Sequence, residues 1–193
     1  MIVSRETERL EAFAGLLRKW NPAINLIAPS TVDQLESRHI ADALQLARLA
    51  QPTPDLWLDL GSGGGLPGLV IAIAHPQIPV RLLESDQRKA AFLRNAIREL
   101  ALQNADVICR RIEMADRQNA ANISARALAP LPQLMAYVDR HLSPEGTAWL
   151  MKGRNWQKEV AEARKAWSFD MKAHQSSTDP DAAILEITGI RHV

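Results

Sequence analysis

The sequence is poor in cysteine and has no long hydrophobic run. Cys109 is the only cysteine among 193 residues, so an intramolecular disulfide and a cysteine-based zinc site are both excluded. The most apolar stretch, residues 66–74, is far shorter than the ~20 residues that a membrane-spanning helix needs. The N-terminus becomes charged at once and has no apolar signal core. We therefore expect a cytoplasmic protein with no membrane contact and no metal centre.

The sequence also lacks a strong excess of either charge. Lys and Arg total 23 against 22 Asp and Glu, which gives a formal net charge of +1. Proteins that hold nucleic acid by bulk charge are far more basic, so any RNA surface here would have to be local. The length and the hydrophobic fraction of 47% suit one domain with a sizeable core. We expect it to be a monomer.

The first fifty residues have a helical pattern. Apolar residues between Leu10 and Trp20 recur at three- and four-residue spacing, which predicts a helix over 4–20 that Asn21-Pro22 ends. A second helix is predicted from a cap at Ser30-Thr31 to about Leu49. Prolines follow directly after it, so we expect a boundary there.

After this boundary the pattern alternates between strands and helices. Alternation of this kind indicates a mostly parallel sheet covered on both faces, and two closing strands without a helix between them indicate an antiparallel edge strand. The expected division is a helical extension over 1–50 and one compact domain over 51–193. The predicted strands are 56–60, 80–84, 107–108, 123–127, 146–151, 171–175 and 183–187. A short helix is predicted to follow the glycine-rich loop and to end at 74. Further helices are predicted over 86–100, 130–141 and 155–167.

A glycine-rich loop follows the first predicted strand. It runs from Gly61 to Gly68 and holds five glycines, with Pro67 near the start of the next helix. Glycines at a strand end let the backbone turn tightly and approach a ligand closely. Glu84 ends the next strand, a spacing suited to a carboxylate that accepts the ribose hydroxyls of an adenosine. The pattern predicts a site for an adenosine-containing ligand.

Three interpretations of this loop compete. A plain glycine turn with a surface glutamate needs no ligand. A nicotinamide-dependent oxidoreductase is the second, because Gly63, Gly65 and Gly68 satisfy G-x-G-x-x-G. Against it stand the preceding helical pair, the Leu66-Pro67 step at the helix start and a chain too short for a second substrate domain. The pattern favours the third, an S-adenosyl-L-methionine-dependent methyltransferase.

Several segments follow one another along the chain in a distinctive order: Lys19-Trp20-Asn21, Asn25-Leu26, Arg38 to Asp42, Gly61 to Gly68, Glu84, Lys89 to Arg94, Arg111-Ile112-Glu113, Ser124 to Ala127 and Lys152-Gly153. Together they resemble one family, the bacterial 16S ribosomal RNA guanine-N7 methyltransferases, historically called glucose-inhibited division protein B. The resemblance covers most of the chain and implies a Rossmann-like class I methyltransferase fold with a seven-stranded sheet. The sequence departs from the family pattern in two ways. Ala43 stands where serine is common, and the C-terminal strand lacks a lysine-rich ending.

The resemblance implies roles for the matching residues. Glu84 would take the ribose, Ile112 and Glu113 would flank the adenine, and Arg126 would lie beside the methyl donor. The expected cofactor-binding set is Gly61, Gly63, Leu66, Glu84, Ile112, Glu113 and Arg126. The implied substrate is 16S ribosomal RNA or the small ribosomal subunit, methylated at a guanine in the 530 loop near the decoding site.

The chemistry of guanine N7 fits the residues after the fourth strand. N7 has a free lone pair and can attack a methyl group without losing a proton, so catalysis rests on positioning and on exclusion of water. The Asn/Asp-Pro-Pro-aromatic motif that serves amino groups is absent, and Ser124-Ala125-Arg126-Ala127 stands there. We expect Arg126 to orient the guanine or the cofactor carboxylate; a structural ion pair is the alternative.

Candidates for RNA contact are Arg38, His39, Lys152 and Arg154. For Arg38 and His39, the alternatives are contacts to a lid over the cofactor and polar roles in helix packing. For Lys152 and Arg154, the alternative is a solvated charged face. Cys109 would suit a pyrimidine-C5 methyltransferase, but a buried, inert cysteine is the expectation. At the level of function, a methyltransferase of another substrate and a non-catalytic binding module stay open alongside the oxidoreductase.

Overall fold

The computed structural model describes residues 4–193, in which seven strands form one sheet. Strand order across the sheet is β3-β2-β1-β4-β5-β7-β6. The strands are β1 Trp57–Leu60, β2 Val80–Glu84, β3 Ala105–Cys109, β4 Ala120–Arg126, β5 Leu142–Lys152, β6 Trp167–Gln175 and β7 Ala183–His192. The helices are α1 Arg5–Ile24, α2 Ala41–Ala50, α3 Gly68–Ala74, α4 Gln87–Glu99, α5 Leu131–His141 and α6 Trp156–Ala163.

The sheet is parallel from β3 to β5 and antiparallel only around β7. β7 pairs antiparallel with both β5 and β6, so the seven-stranded, mostly parallel sheet predicted from the sequence is confirmed. The antiparallel strand lies one place in from the edge, and β6 forms the edge itself. The chain turns back across the sheet between β1 and β4, and ligands of open parallel sheets bind at the carboxyl ends of strands at such a reversal.

Each face of the sheet carries its own core. One core joins Phe13 of α1 and Leu46 of α2 with α3, α4 and Trp57. The other joins Leu58 and Leu60 with residues of α5 and α6. Neighbouring residues of β1 thus face opposite cores, as strand geometry requires. The N-terminal helices share a core with the sheet, and the predicted division at residue 50 stays a prediction.

The first helix ends later than predicted. α1 continues through Asn21 and Pro22 to Ile24, so the expected stop at residue 20 was wrong. A proline in the last turn removes only one backbone donor. The end is capped instead by Asn25 in the left-handed conformation, whose N–H donates to the Asn21 carbonyl at 3.0 Å. The Asn21 side chain also accepts the N–H groups of Leu26 and Ile27 at 2.7 and 2.9 Å.

The predicted second helix is interrupted. Pro29–Gln34 is a 3₁₀ helix, Leu35–Ile40 is a π-helical turn, and only then does α2 begin. The Thr31 hydroxyl donates to the Ala28 carbonyl at 2.9 Å. Such a local side-chain bond competes with the regular backbone hydrogen bonds of an α-helix. The wide π turn buries Leu35, His39 and Ile40 together. Wide turns of this kind are frequent at functional sites.

The later strands are longer than predicted, and two boundaries moved. α6 ends at Ala163 and Trp167 opens β6, so the helix expected to continue to residue 167 was wrong. Trp167 packs in the core of the second face, which a strand reaches as well as a helix. Ala127, expected inside the fourth strand, lies just after it with a φ of 50°.

None of the described helices is long and apolar enough to cross a membrane.

Candidate functional site

The glycine-rich loop leaves β1 at the carboxyl edge of the sheet. Gly61, Gly63 and Gly65 have φ values of 62°, 53° and 84°, a region that side chains other than glycine rarely adopt. A Cβ at Gly64 would lie 3.1 Å from the Leu26 carbonyl oxygen, so the segment after α1 packs directly on the loop. At Gly63 the space is open, with only the Gly61 carbonyl 3.8 Å away. The loop is a cradle whose Gly63 side has room for a ligand.

Glu84 fixes the loop to the neighbouring strand. Its carboxylate is buried; one oxygen accepts the N–H of Gly63 at 2.7 Å and the other accepts the N–H of Asp86 at 2.8 Å. A carboxylate has about four acceptor positions, so it can bind further hydroxyl groups. These two hydrogen bonds hold the loop and the carboxylate against each other.

The turn after β3 lies at the same carboxyl edge of the sheet. Ile112 is buried in a short 3₁₀ helix, and Glu113 beside it is exposed. The carbonyl of Ile112 accepts a hydrogen bond from Nε2 of His141 at 2.9 Å, and burial lowers the pKa of His141. Arg140 donates to the Ala115 carbonyl at 2.9 Å. The end of α5 thus fixes this turn at two points.

Cys109 ends β3, the edge strand on that side. The cysteine is half-buried, and its sulfur lies 4.0 Å from the Ser85 carbonyl. The expectation of a buried cysteine was wrong because β3 has a neighbouring strand on one side only and most of its residues are partly exposed.

A buried aspartate lies beneath the loop. Asp59 is 1% exposed; one carboxylate oxygen accepts the Ser124 hydroxyl at 2.6 Å and the other has no hydrogen-bond partner. Ser124 itself accepts from the indole N–H of Trp57 at 2.8 Å. Burial raises the pKa of Asp59 to about 6, although the hydrogen bond from Ser124 opposes this shift.

This shift predicts a pH-dependent cost in stability. The ordinary pKa of the carboxyl is 3.8, so the folded protein binds more protons than the unfolded chain between about pH 4 and 6, and Asp59 destabilises the fold as pH rises through that range. An amide at this position would stay neutral at every pH. We expect the free energy of unfolding of Asp59→Asn, relative to wild type, to rise by about 2 kcal/mol from pH 4.5 to 7.5. Urea unfolding at both pH values measures it, and a difference that is the same at both would contradict the assignment.

Arg126 lies at the end of β4, next to the π-helical turn Leu35–Ile40. Its Nη2 is 2.6 Å from Nδ1 of His39, whose Nε2 is 2.7 Å from the Thr31 hydroxyl. Burial lowers the pKa of His39 to about 4, and the positive charges of Arg126 and Arg38 act in the same direction. His39 is therefore neutral at pH 7.

A cavity of about 650 Å³ opens beside these residues. It lies between the end of β4, the end of β5, the π-helical turn and the β6–β7 connection. The structure brings Arg126 and all four predicted RNA contacts, Arg38, His39, Lys152 and Arg154, into its wall. Residues that the sequence placed in separate segments thus share one site.

The four predicted contacts differ in how available they are. His39 is 8% exposed, and both of its ring nitrogens have protein partners. Lys152 is bound to Glu159 at 2.6 Å and to the Ala129 carbonyl at 2.9 Å. These contacts favour internal roles for both. Arg38 is half-exposed in a 3.4 Å pair with Asp179, and Arg154 is exposed.

The acidic side chains of the cavity were not predicted from the sequence. Asp42 accepts the hydroxyls of Ser176 and Thr178 at 3.1 and 2.5 Å, and Asp179 pairs with Arg38. Asp42 belongs to the segment that carried the family resemblance, which was the one signal for it. In the described residues no group of three or more metal-binding side chains lies together.

Comparisons with known proteins point in one direction. A family model described as rRNA small subunit methyltransferase G matches residues 6–186. The ribosomal RNA small subunit methyltransferase G of Paracoccus denitrificans is 71% identical over the whole of both chains, and that of Ruegeria sp. (strain TM1040) is 48% identical over 99% of this chain and 95% of its own. Both matches include the N-terminal helices, so the similarity is not confined to the glycine-rich loop and the strands around it.

Solved structures share the fold at low sequence identity. A mutant of MtNAS in complex with S-adenosylmethionine superposes with a TM-score of 0.66 and 14% identity, covering 95% of this chain and 75% of its own. An S-adenosylmethionine-dependent methyltransferase from Aquifex aeolicus gives 0.62 and 12%, covering 83% and 98%. These matches show a Rossmann-like methyltransferase fold.

Proposed function

The chain belongs to the rRNA small subunit methyltransferase G family, and we propose that it transfers a methyl group from S-adenosylmethionine to N7 of a guanine in 16S ribosomal RNA. The main support for S-adenosylmethionine as the cofactor is the hydrogen bond that the buried Glu84 carboxylate accepts from the Gly63 N–H. The observation that supports the substrate is the cavity that adjoins Arg126.

The residues present fit the cofactor. The open space at Gly63 lets a ligand approach the backbone. Glu84 would accept the ribose hydroxyls, Ile112 and Glu113 would flank the adenine, and Gly61 and Leu66 would contact the remainder. Bound S-adenosylmethionine supplies an electrophilic methyl group on a sulfonium.

The side chains of the cavity favour a nucleophile that needs no general base. Of the two nitrogens of His39, one faces Arg126 and the other Thr31. The carboxylates of Asp42, Asp179 and Glu159 each have hydroxyl or cationic partners. Guanine N7 has a free lone pair, so positioning and exclusion of water suffice for its attack.

Arg126 supplies the positioning in this proposal. Its remaining N–H groups would donate to O6 of the guanine or to the cofactor carboxylate. The base would be turned out of the RNA into the cavity, and Arg38 and Arg154 would contact phosphates at its rim. The family resemblance supports a guanine of the 530 loop as the target.

The remaining features of the proposal concern the whole chain. The protein would act as a monomer in the cytoplasm, where its ribosomal substrate is found. Residues 1–50 would form a helical extension of a methyltransferase domain over 51–193, and the extension would complete the cavity through Arg38 and His39.

A titration separates this function from the oxidoreductase alternative. We expect S-adenosylmethionine and its demethylated product to bind in isothermal calorimetry and NADH not to bind. NADH binding, with no heat from S-adenosylmethionine, would contradict the methyltransferase.

Transfer of labelled methyl groups tests the substrate. Naked 16S RNA, assembled small subunits and assembly intermediates are each incubated with the protein and labelled cofactor, and the modified nucleotide is mapped by cleavage of the RNA at methylated guanine. We expect one site, in the 530 loop, in at least one of the three substrates. A site elsewhere would overturn the location, and no transfer to any of them would overturn the RNA methyltransferase.

A further inference from the structure

A chain of three hydrogen bonds connects the 3₁₀ helix and the π-helical turn before α2 to Arg126. The Thr31 hydroxyl donates its single proton to the Ala28 carbonyl at 2.9 Å, so its oxygen must accept from Nε2–H of His39 at 2.7 Å. Nδ1 of His39 then carries the lone pair and accepts from Nη2 of Arg126 at 2.6 Å. Each bond fixes the direction of the next, so the imidazole has one defined tautomer.

The buried position of His39 makes this arrangement stable. The π-helical turn places His39 inside with Leu35 and Ile40. A protonated ring would direct two N–H donors at Thr31 and Arg126. Burial and the positive charges of Arg126 and Arg38 oppose protonation of the ring, and only the carboxylate of Asp42 favours it. The neutral ring is the form that can accept from an arginine.

A neutral acceptor has a different effect on Arg126 from a carboxylate. Asp42 and Asp59 are the negative charges near the guanidinium, and burial lowers the pKa of Arg126. A direct pair with either carboxylate would offset the positive charge of the arginine and occupy N–H groups that could otherwise donate to a ligand. The bond to the imidazole holds one nitrogen of the guanidinium and leaves its positive charge and its other N–H groups for the cavity.

We propose that His39 is a positioning residue of the reaction, which holds the guanidinium of Arg126 toward the cavity through the Thr31–His39–Arg126 chain. The inference rests on the proposed function for the role of Arg126 toward the guanine or the cofactor carboxylate. It assigns the irregular segment before α2 a part in the active site.

The test compares two substitutions at the same position. Leucine in place of His39 has a similar volume and no acceptor, whereas the amide oxygen of asparagine can lie near the place of Nδ1. We expect His39→Leu to lower kcat/KM for 16S RNA about 10- to 100-fold and His39→Asn to stay within about fivefold of wild type. Thr31→Val should lower kcat/KM in the direction of the leucine variant, and Thr31→Ser should restore it.

A double-mutant cycle then shows whether His39 acts through Arg126. In the Arg126→Ala background, His39→Leu should cause no further loss, because the group that it positions is gone. Thermal unfolding of every variant shows that the protein is folded. Equal losses in His39→Leu and His39→Asn, or losses that multiply in the double variant, would overturn the proposal.

A measurement without catalysis keeps the inference separate from the proposed function. Imidazole ¹⁵N NMR of the wild-type protein at pH 7 should show His39 with a protonated Nε2 and an unprotonated Nδ1, and the Nδ1 signal should move in Arg126→Ala. If wild type transfers no methyl group to RNA, the proposed function fails, and this spectrum alone decides the hydrogen-bond chain. A protonated Nδ1, or an Nδ1 signal that Arg126→Ala leaves unmoved, would overturn it.

Discussion

Glu84→Ala is expected to weaken binding of S-adenosylmethionine by about 100-fold or more. The carboxylate accepts the Gly63 N–H and the Asp86 N–H, and in the proposed complex it also accepts the ribose hydroxyls. Hydrogen bonds to a charged group contribute about 1.5–3 kcal/mol each, and a factor of ten in affinity corresponds to about 1.4 kcal/mol. Calorimetric titration with the demethylated cofactor measures the change without turnover.

Two matched variants show whether the loss belongs to the carboxylate. Glu84→Gln keeps the shape and one acceptor oxygen, so its affinity should lie between wild type and alanine. Glu99→Ala removes an exposed charge on α4 and should leave affinity unchanged. If Glu84→Ala is folded and binds within about threefold of wild type, the ribose assignment is wrong.

The second large effect is expected for Gly65→Ala, which should destabilise the fold by about 2–4 kcal/mol. Gly65 has a φ of 84°, and a Cβ there would lie 2.6 Å from Cδ1 of Leu69 and 3.1 Å from Cδ2 of Leu93. Both leucines are fully buried, so neither can move away without disturbing the core. Urea unfolding gives the free energy of unfolding for comparison with wild type.

Gly15→Ala is the control and should have the opposite sign. Gly15 lies inside α1, and a Cβ built there has no atom within 4 Å. Alanine in a helix interior is favoured over glycine by about 0.5–1 kcal/mol. A destabilisation by Gly15→Ala, or none by Gly65→Ala, would contradict the packing described for these two positions.

The proximity of Glu84 to the glycine-rich loop could be predicted from the sequence because the two follow one another at the ends of neighbouring strands. The glycine-rich loop directly follows β1, and Glu84 ends the next strand. In a parallel sheet neighbouring strands place their carboxyl ends together, and the pairing of Leu60 with Leu83 shows that register. Spacing along the chain therefore translated into proximity, and only the bond between Glu84 and Gly63 had to be learned from the structure.

The cavity could not be predicted in the same way, because its contacts join distant segments. Asp42 meets Ser176 and Thr178 across more than 130 residues, and His39 meets Arg126 across 87. No periodicity in the sequence indicates which side chain of a helix faces which loop. For the same reason His39 was predicted as an RNA contact, a contact to a lid over the cofactor or a packing residue, and its bond to Arg126 was missed.

Local rules also failed where side chains override them. Asn21-Pro22 was expected to end α1, but the Asn21 side chain satisfies the N–H groups that follow the helix. The uninterrupted helix predicted from Ser30 was wrong, because Thr31 bonds the local backbone and the π-helical turn buries His39. Both errors lie in the segment that completes the cavity.

The most direct test of the central claim is the identity of the methylated nucleoside. Small-subunit RNA treated with the protein and S-adenosylmethionine is digested to nucleosides and separated by liquid chromatography with mass spectrometry. The proposed transfer to guanine N7 predicts 7-methylguanosine as the new product, formed by wild type and much less by Arg126→Ala. A guanosine methylated on N1 or N2, a methylated pyrimidine, or an Arg126→Ala variant as active as wild type would contradict it.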